Sequence, residues 1–274
     1  MKLLLKIVKY PFQLFWRVIL LPWVWLHYRP TRLGIGNVPR KGGVLLLSNH
    51  VSYIDSFIIF LTCPRRVRFV VLERYVENRY FGWFLKLFDA IPIRKTRAKE
   101  AIQRTAQGLL DGDVVCLFPE GELTRTGVTN EFRKGFELIL RKAKCPVVPV
   151  YMDGLFNSIF SFERGLYFKK RPHRWTCPLQ VAFGEPIPAS EATAERVREA
   201  VWSASVEAFE HRRELREPIE VSLIRALSKK GKTPLFTEFR GESDQDLKTR
   251  QWTRRQTRGT AVALARYWMQ RGEP

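Results

Sequence analysis

Short apolar runs, bounded by glycine, proline or charge, recur through the first 210 residues. Residues 44–48 (VLLLS), 68–72 (RFVVL), 114–118 (VVCLF), 147–151 (VVPVY) and 179–183 (LQVAF) read as buried strands, and 91–93 (IPI) as a short extended piece. Between them the apolar period lengthens. Residues 95–110 place Ala98, Ile102, Ala106 and Leu109 on one stripe. Residues 132–142 are apolar at Phe132, Phe136, Leu138 and Ile139, and residues 191–213 at Val197, Val201, Ala204 and Ala208. Each predicts an amphipathic helix, and residues 80–88 a shorter one. Strands alternating with helices over 44–151 predict an α/β fold: a largely parallel central sheet flanked by helices. Ligands of such sheets bind beyond the carboxyl ends of the strands. Asn49-His50 follow the first strand and Pro119-Glu120-Gly121 the third, so one shared cleft is expected there.

Both ends depart from this pattern. Residues 1–32 are apolar and aromatic but interrupted by Lys2, Lys6, Lys9 and Arg17, and only 11 residues, Pro22 among them, separate Arg17 from Arg29. A spanning helix needs roughly 18 or more apolar residues, and no small-residue cleavage site follows, so neither a membrane span nor a secretory signal is expected. Phe15, Trp16, Trp23, Trp25 and Tyr28 interleave with basic residues, the composition of a helix lying in a membrane interface. The competing expectation is a helix packed on its own core. Residues 33–213 form the predicted catalytic-type domain. Residues 214–274 carry charged, proline-containing stretches (RELREPIE, SKKGKTP), a basic run (TRQWTRRQTR) and helical spacing at Ala261, Leu264, Ala265 and Trp268, and predict a helical appendage.

Composition narrows the partners. A formal net charge of +20 on 274 residues predicts attraction to something anionic: lipid headgroups, nucleic acid or a phosphorylated substrate. Cys63, Cys116, Cys145 and Cys177 form no CxxC pair and no zinc spacing, and read as reduced thiols in a cytosol-facing protein. His27, His50, His173 and His211 are scattered with no HExxH, so no metal is expected.

The chemistry concentrates in two stretches. In SNHVSYID (48–55), Ser52-x-x-Asp55 ahead of an apolar run reads as a helix N-cap. The same stretch carries His50 and Asp55, five positions apart. On a helix that offset is about 140°, so the pair meets only if His50 lies in the turn and Asp55 in the first helical turn. A carboxylate on one imidazole nitrogen fixes the tautomer and leaves the other as a general base. No G-x-S-x-G elbow occurs and Cys116 lies in an apolar strand, so the base would act on a substrate hydroxyl. In CLFPEGELTRTG (116–127), Gly121 permits a tight turn, Arg125 offers a phosphate fork, and Glu120 is placed to orient that arginine or a hydroxyl. Arg94, Lys95 and Arg133 add cations near strand ends, which together suggest a phosphate-recognising cleft.

SNHVSYID with LFPEGELTR resembles the N-H-x-x-x-x-D and F-P-E-G blocks of the glycerolipid acyltransferase superfamily. DAIPIRK resembles its arginine block, with Arg94 in place, and VVPVYMDG its proline-centred block, over about residues 33–210. GFELIL and DGLFNSIFSFERG resemble the acyltransferase portion of the bifunctional 2-acylglycerophosphoethanolamine acyltransferase/acyl-carrier-protein synthetase group, of whose synthetase domain at most a remnant would fit here. The resemblance implies a lysophospholipid O-acyltransferase without cofactor, using acyl-CoA or acyl carrier protein as donor at the cytoplasmic face of an anionic bilayer. His50 would be the base and Asp55 its orienting partner. Asn49, Ser52, Arg94, Glu120, Gly121, Glu122, Arg125 and Arg133 would line the substrate site. Glu122-Leu123 stand where the family has Thr-Arg, and Arg125 comes two positions late. A glycerol-3-phosphate acyltransferase is the near alternative. A non-catalytic basic protein of membrane surfaces or nucleic acid is the distant one, and it leaves both blocks unexplained; no nucleic-acid partner is expected.

Overall fold

The computed structural model describes residues 2–79, 82–171, 176–212, 234–240, 248–253, 256–257 and 259–260. The chain divides into two compact units, Met1–Arg212 and Arg213–Pro274. In the first, helices and strands run α1 (Lys2–Tyr28), β1 (Thr31–Leu33), β2 (Val44–Ser48), α2 (Asp55–Thr62), β3 (Val67–Leu72), α3 (Glu73–Val76), α4 (Gly82–Leu87), β4 (Ile91–Ile93), α5 (Ala98–Leu110), β5 (Val114–Leu117), α6 (Gly135–Ala143), β6 (Val147–Asp153), β7 (Gln180–Phe183) and α7 (Ala194–Glu210). The seven strands form one sheet in the order β1-β7-β6-β2-β5-β3-β4, with every neighbouring pair parallel except β6 and β7.

The apolar runs become central strands because both their faces are covered. Along β2, Val44 and Leu46 enter the core on the α1/α2 side, while Leu45 and Leu47 enter the core formed with α5, α6 and α7. This is the period-2 alternation of a strand buried on both faces. β2 lies between β5 (Leu45 opposite Val115) and β6 (Leu47 opposite Pro149). The carboxyl ends of β2, β5, β3 and β4 therefore open on one edge of the sheet, where the site is built.

Residues 2–28 form a single helix running through Pro11 and Pro22. Val24 and Tyr28 are buried in the core with Phe12, Trp16 and Leu20 packed against it, and Arg17 donates to the carbonyls of Leu61 (3.2 Å) and Cys63 (2.5 Å). The opposite face leaves Leu14, Phe15, Val18, Ile19, Trp25 and Leu26 exposed. Among the described residues no helix is long and apolar enough to cross a membrane.

Several boundaries differ from expectation. The helix predicted at 132–142 starts at Gly135, because the Arg133 N–H is taken by the Pro119 carbonyl (2.9 Å). The helix predicted at 191–213 starts at Ala194, where Thr193 caps it by accepting from the Arg196 N–H (3.2 Å). The first helix is not separate from residues 33–213, since it belongs to the same compact unit. In the second unit, β8 (Pro234–Arg240) and β9 (Lys248–Thr253) pair antiparallel, which corrects the expectation of a helical appendage over this stretch. PLFTEFR and KTRQWT are rich in Phe, Thr and Trp, residues that favour a pleated chain over a helix. RELREPIE, most of SKKGKTP and residues 261–274 lie outside the described residues.

Candidate active site

β2 ends at Ser48, and the next six residues turn the chain into α2. The helix starts at Asp55 with Ile54 in the cap position, so Ser52 is not the N-cap expected from the sequence. Ser52 instead donates its hydroxyl to Asp55 Oδ1 (2.5 Å). Asp55 Oδ2 accepts the Val51 N–H (2.7 Å) and the Ser52 N–H (2.9 Å), and faces His50 Nδ1 at 2.8 Å. A carboxylate with no exposed surface is thereby met by four partners, which offsets the cost of burying its charge. His50 Nδ1 carries the proton in this bond, leaving Nε2 as the acceptor nitrogen with no protein partner among the described residues. The imidazole lies flat on Phe118, 4.1 Å between ring centres and 16° from parallel. Its orientation is thus fixed at an edge by Asp55 and on a face by Phe118.

The 118–127 loop grips the backbone of the same histidine. Glu120 is buried; its Oε1 accepts the His50 N–H (2.8 Å) and its Oε2 the Asn130 N–H (2.9 Å). Thr124 N–H donates to the His50 carbonyl (2.9 Å). Burial pushes the Glu120 carboxyl up from the usual glutamate range, opposed by the two backbone N–H groups. Both Glu120 oxygens are thus engaged by backbone N–H groups, so the carboxylate holds the chain on either side of the His50 turn rather than meeting Arg125. Asn49 is likewise engaged within the fold. Its amide donates to the Met152 carbonyl (3.1 Å) and accepts the Met152 N–H (2.8 Å), tying the end of β2 to β6.

The expected cations do not converge as one set. Gly121 has φ +76°, and a Cβ there would lie 2.9–3.3 Å from the Arg133 side chain, so the glycine makes room for that guanidinium beside the Glu120 turn. Arg94, at the end of β4, pairs with Glu73 and Glu77 rather than standing free. Arg125 lies over the Phe162 ring at 5.3 Å, and Glu122 is exposed. Phe118, Thr124 and Glu73 were missed by sequence reasoning. Phe118 was visible only as the last residue of an apolar strand, and nothing local marks Thr124 or Glu73 as neighbours of the site.

No group of three or more His, Cys, Asp or Glu residues able to hold a metal occurs among the described residues. Burial pushes the Cys116 thiol well above its ordinary range, which removes it as a nucleophile. The arrangement offers an oriented imidazole with an open nitrogen and, among the described residues, no thiol suited to act as a nucleophile.

Residues 31–153 match the family model described as Acyltransferase. That segment is similar to the Acyltransferase family. The 1-acyl-sn-glycerol-3-phosphate acyltransferase of Bacillus subtilis is 25% identical over 131 residues, covering 47% of this chain and 65% of the relative. The enzyme of the same name from Limnanthes douglasii is 24% identical over 182 residues, covering 65% of this chain and 62% of the relative. The chain thus spans less than two thirds of the length of either. The crystal structure of the 1-acyl-sn-glycerophosphate (LPA) acyltransferase PlsC from Thermotoga maritima shares the fold, with a TM-score of 0.54 at 21% identity over 69% of this chain and 75% of that one. The matched segment runs from β1 to the end of β6. It contains every site residue named above, while β7 and α7 lie beyond it.

Proposed function

We propose that this protein is a lysophospholipid O-acyltransferase. His50 Nε2 takes the proton of the acceptor's free hydroxyl, and the oxygen attacks the thioester carbonyl of acyl-CoA or acyl carrier protein. The C–S bond breaks, and the departing thiolate receives the proton from the imidazolium that Asp55 stabilises. The observation that carries this reading is the His50 Nδ1–Asp55 contact of 2.8 Å with Nε2 left open. The named relatives, both 1-acyl-sn-glycerol-3-phosphate acyltransferases, support such an acceptor. Lysophosphatidylethanolamine is the second acceptor. Arg133, beside Gly121, is the cation best placed to meet the acceptor's phosphate, ahead of Arg94 and Arg125, whose guanidinium groups are engaged elsewhere. No cofactor takes part. The exposed apolar face of α1 rests in the cytoplasmic leaflet of an anionic membrane, which brings the lipid acceptor to the base.

The test is a turnover assay with labelled oleoyl-CoA and, separately, oleoyl carrier protein, offered lysophosphatidate, lysophosphatidylethanolamine and glycerol 3-phosphate. Diacyl product is expected from a lysophospholipid. His50→Ala is expected to lower turnover about 10³-fold while melting at the parent temperature. Turnover close to that of the parent would show that the base is elsewhere, and acylation of glycerol 3-phosphate alone would replace the acceptor.

A further inference from the structure

Beyond β6 the chain makes a closed loop, residues 154–171, that the catalytic reading does not use. It is built onto the turn carrying His50 and Asp55. Ser52 and Ser161 form an antiparallel bridge, and the Tyr53 N–H donates to the Phe160 carbonyl (3.2 Å). The loop is locked from within by Lys170. Its ammonium is almost wholly buried and donates to the Ser161 carbonyl, the Ser161 hydroxyl and the Glu163 carbonyl, each at 3.0 Å. So firm a base is at odds with what the loop displays. Leu166 and Phe168 are 51% and 57% exposed, and Tyr53, which stacks on Phe168 at 5.4 Å, is 46% exposed. Phe168 also has φ +62°, a left-handed conformation that costs a bulky residue roughly 1–2 kcal/mol. Phe168 packs edge-on against Phe160 (5.8 Å) yet stays more than half exposed on a strained backbone, and such strain marks positions kept for contact.

The rim of this patch is basic. Lys169 and Arg171 are exposed beside it, and Arg74 sits over Tyr75, which shares a side-chain hydrogen bond with Tyr53. The nearby acids are already engaged: Glu163 with Lys170, Glu73 and Glu77 with Arg94. The chain leaving this region also ties back to α1, since the Cys177 and Leu179 N–H groups donate to the His27 and Tyr28 carbonyls, both at 2.9 Å.

We infer that Tyr53, Leu166 and Phe168, with Lys169 and Arg171 around them, form a second membrane-contact surface, separate from α1, that seats the turn bearing the base against an anionic bilayer. Aromatic and aliphatic tips enter the headgroup boundary while the cations meet lipid phosphates. Contact with lipid is read directly, without turnover. Leu166→Cys in a Cys177→Ser background is labelled with an environment-sensitive dye and mixed with phosphatidylcholine vesicles containing about 30% phosphatidylglycerol. Blue-shifted, brightened emission, quenched by brominated lipid, is the expected result. Phe168→Asn keeps a residue that tolerates the left-handed backbone and is expected to weaken vesicle partition about tenfold. A dye that stays in a water-like environment while the protein sediments with the same vesicles, or a protein that does not bind them, overturns the inference. A dye that responds to acyl carrier protein in solution and not to vesicles overturns it too, and makes the patch a protein-docking surface.

Discussion

Asp55, Glu120 and Asn49 differ in what their buried polar groups hold. Asp55 acts on the imidazole itself, whereas Glu120 and Asn49 act on the chain that carries it. Replacing Asn49 by Leu leaves the Met152 N–H and carbonyl orphaned in a buried site, at roughly 1–3 kcal/mol for each group. A urea titration is expected to show a loss of that order, with the midpoint moving and the slope unchanged. Glu120 makes a pH-dependent contribution. Its folded-state value is raised by burial, so its contribution to stability is complete below the ordinary glutamate value and is lost as pH rises through the raised one. Glu120→Gln removes that loss, though it gives up one of the two backbone acceptors. The variant's melting temperature relative to the parent is therefore expected to improve as pH rises above the ordinary glutamate range, while its turnover stays below the parent's. An unchanged difference across that rise would show that Glu120 does not titrate there. At this scale the sequence was only partly legible. SNHVSYID named the dyad because a strand end, a turn and a helix start force the two side chains together. The partners of Asn49 and Glu120 were not legible, because hydrogen bonds across 70 to 103 residues of chain leave no local trace.

Among the elements, strands were easier to read than ends. β2, β5 and β6 were visible because a run buried on both faces cannot tolerate polar residues. β1 was not, since Thr31-Arg32-Leu33 is a short edge piece with two exposed residues. β8 and β9 were misassigned because the arginines and lysines among their alternating residues suit a solvated helix as well as a hairpin. For α1 the sequence offered two readings, core packing or membrane contact, and the helix has a face suited to each. Val18→Asp with Ile19→Asp alters only the outer face, so it is expected to lower co-sedimentation with anionic vesicles at least tenfold and leave the melting temperature within about 1 °C. A large loss of stability instead would mean that this face is covered in solution.

For the whole molecule, a net charge of +20 makes attraction to any polyanion a given and specificity a matter of what else is buried on contact. Raising salt from about 50 to 500 mM is expected to abolish binding to a random DNA duplex while leaving much of the vesicle binding, because counterion release governs the first and apolar insertion contributes to the second. Equal collapse of both would remove the role assigned to the aromatic faces. The contact between Arg17 and the end of α2 bears on how the protein can be handled. An eight-residue helix, about 12 Å long, has the orienting carboxylate at its start and the arginine of α1 near its finish. Trimming residues 1–28 to gain solubility would strip the donor from two carbonyls and open the core around Val24 and Tyr28. A shortened version made for crystallisation is therefore expected to lose the His50–Asp55 alignment along with its apolar helix, and low activity in such a preparation would say little about the longer chain.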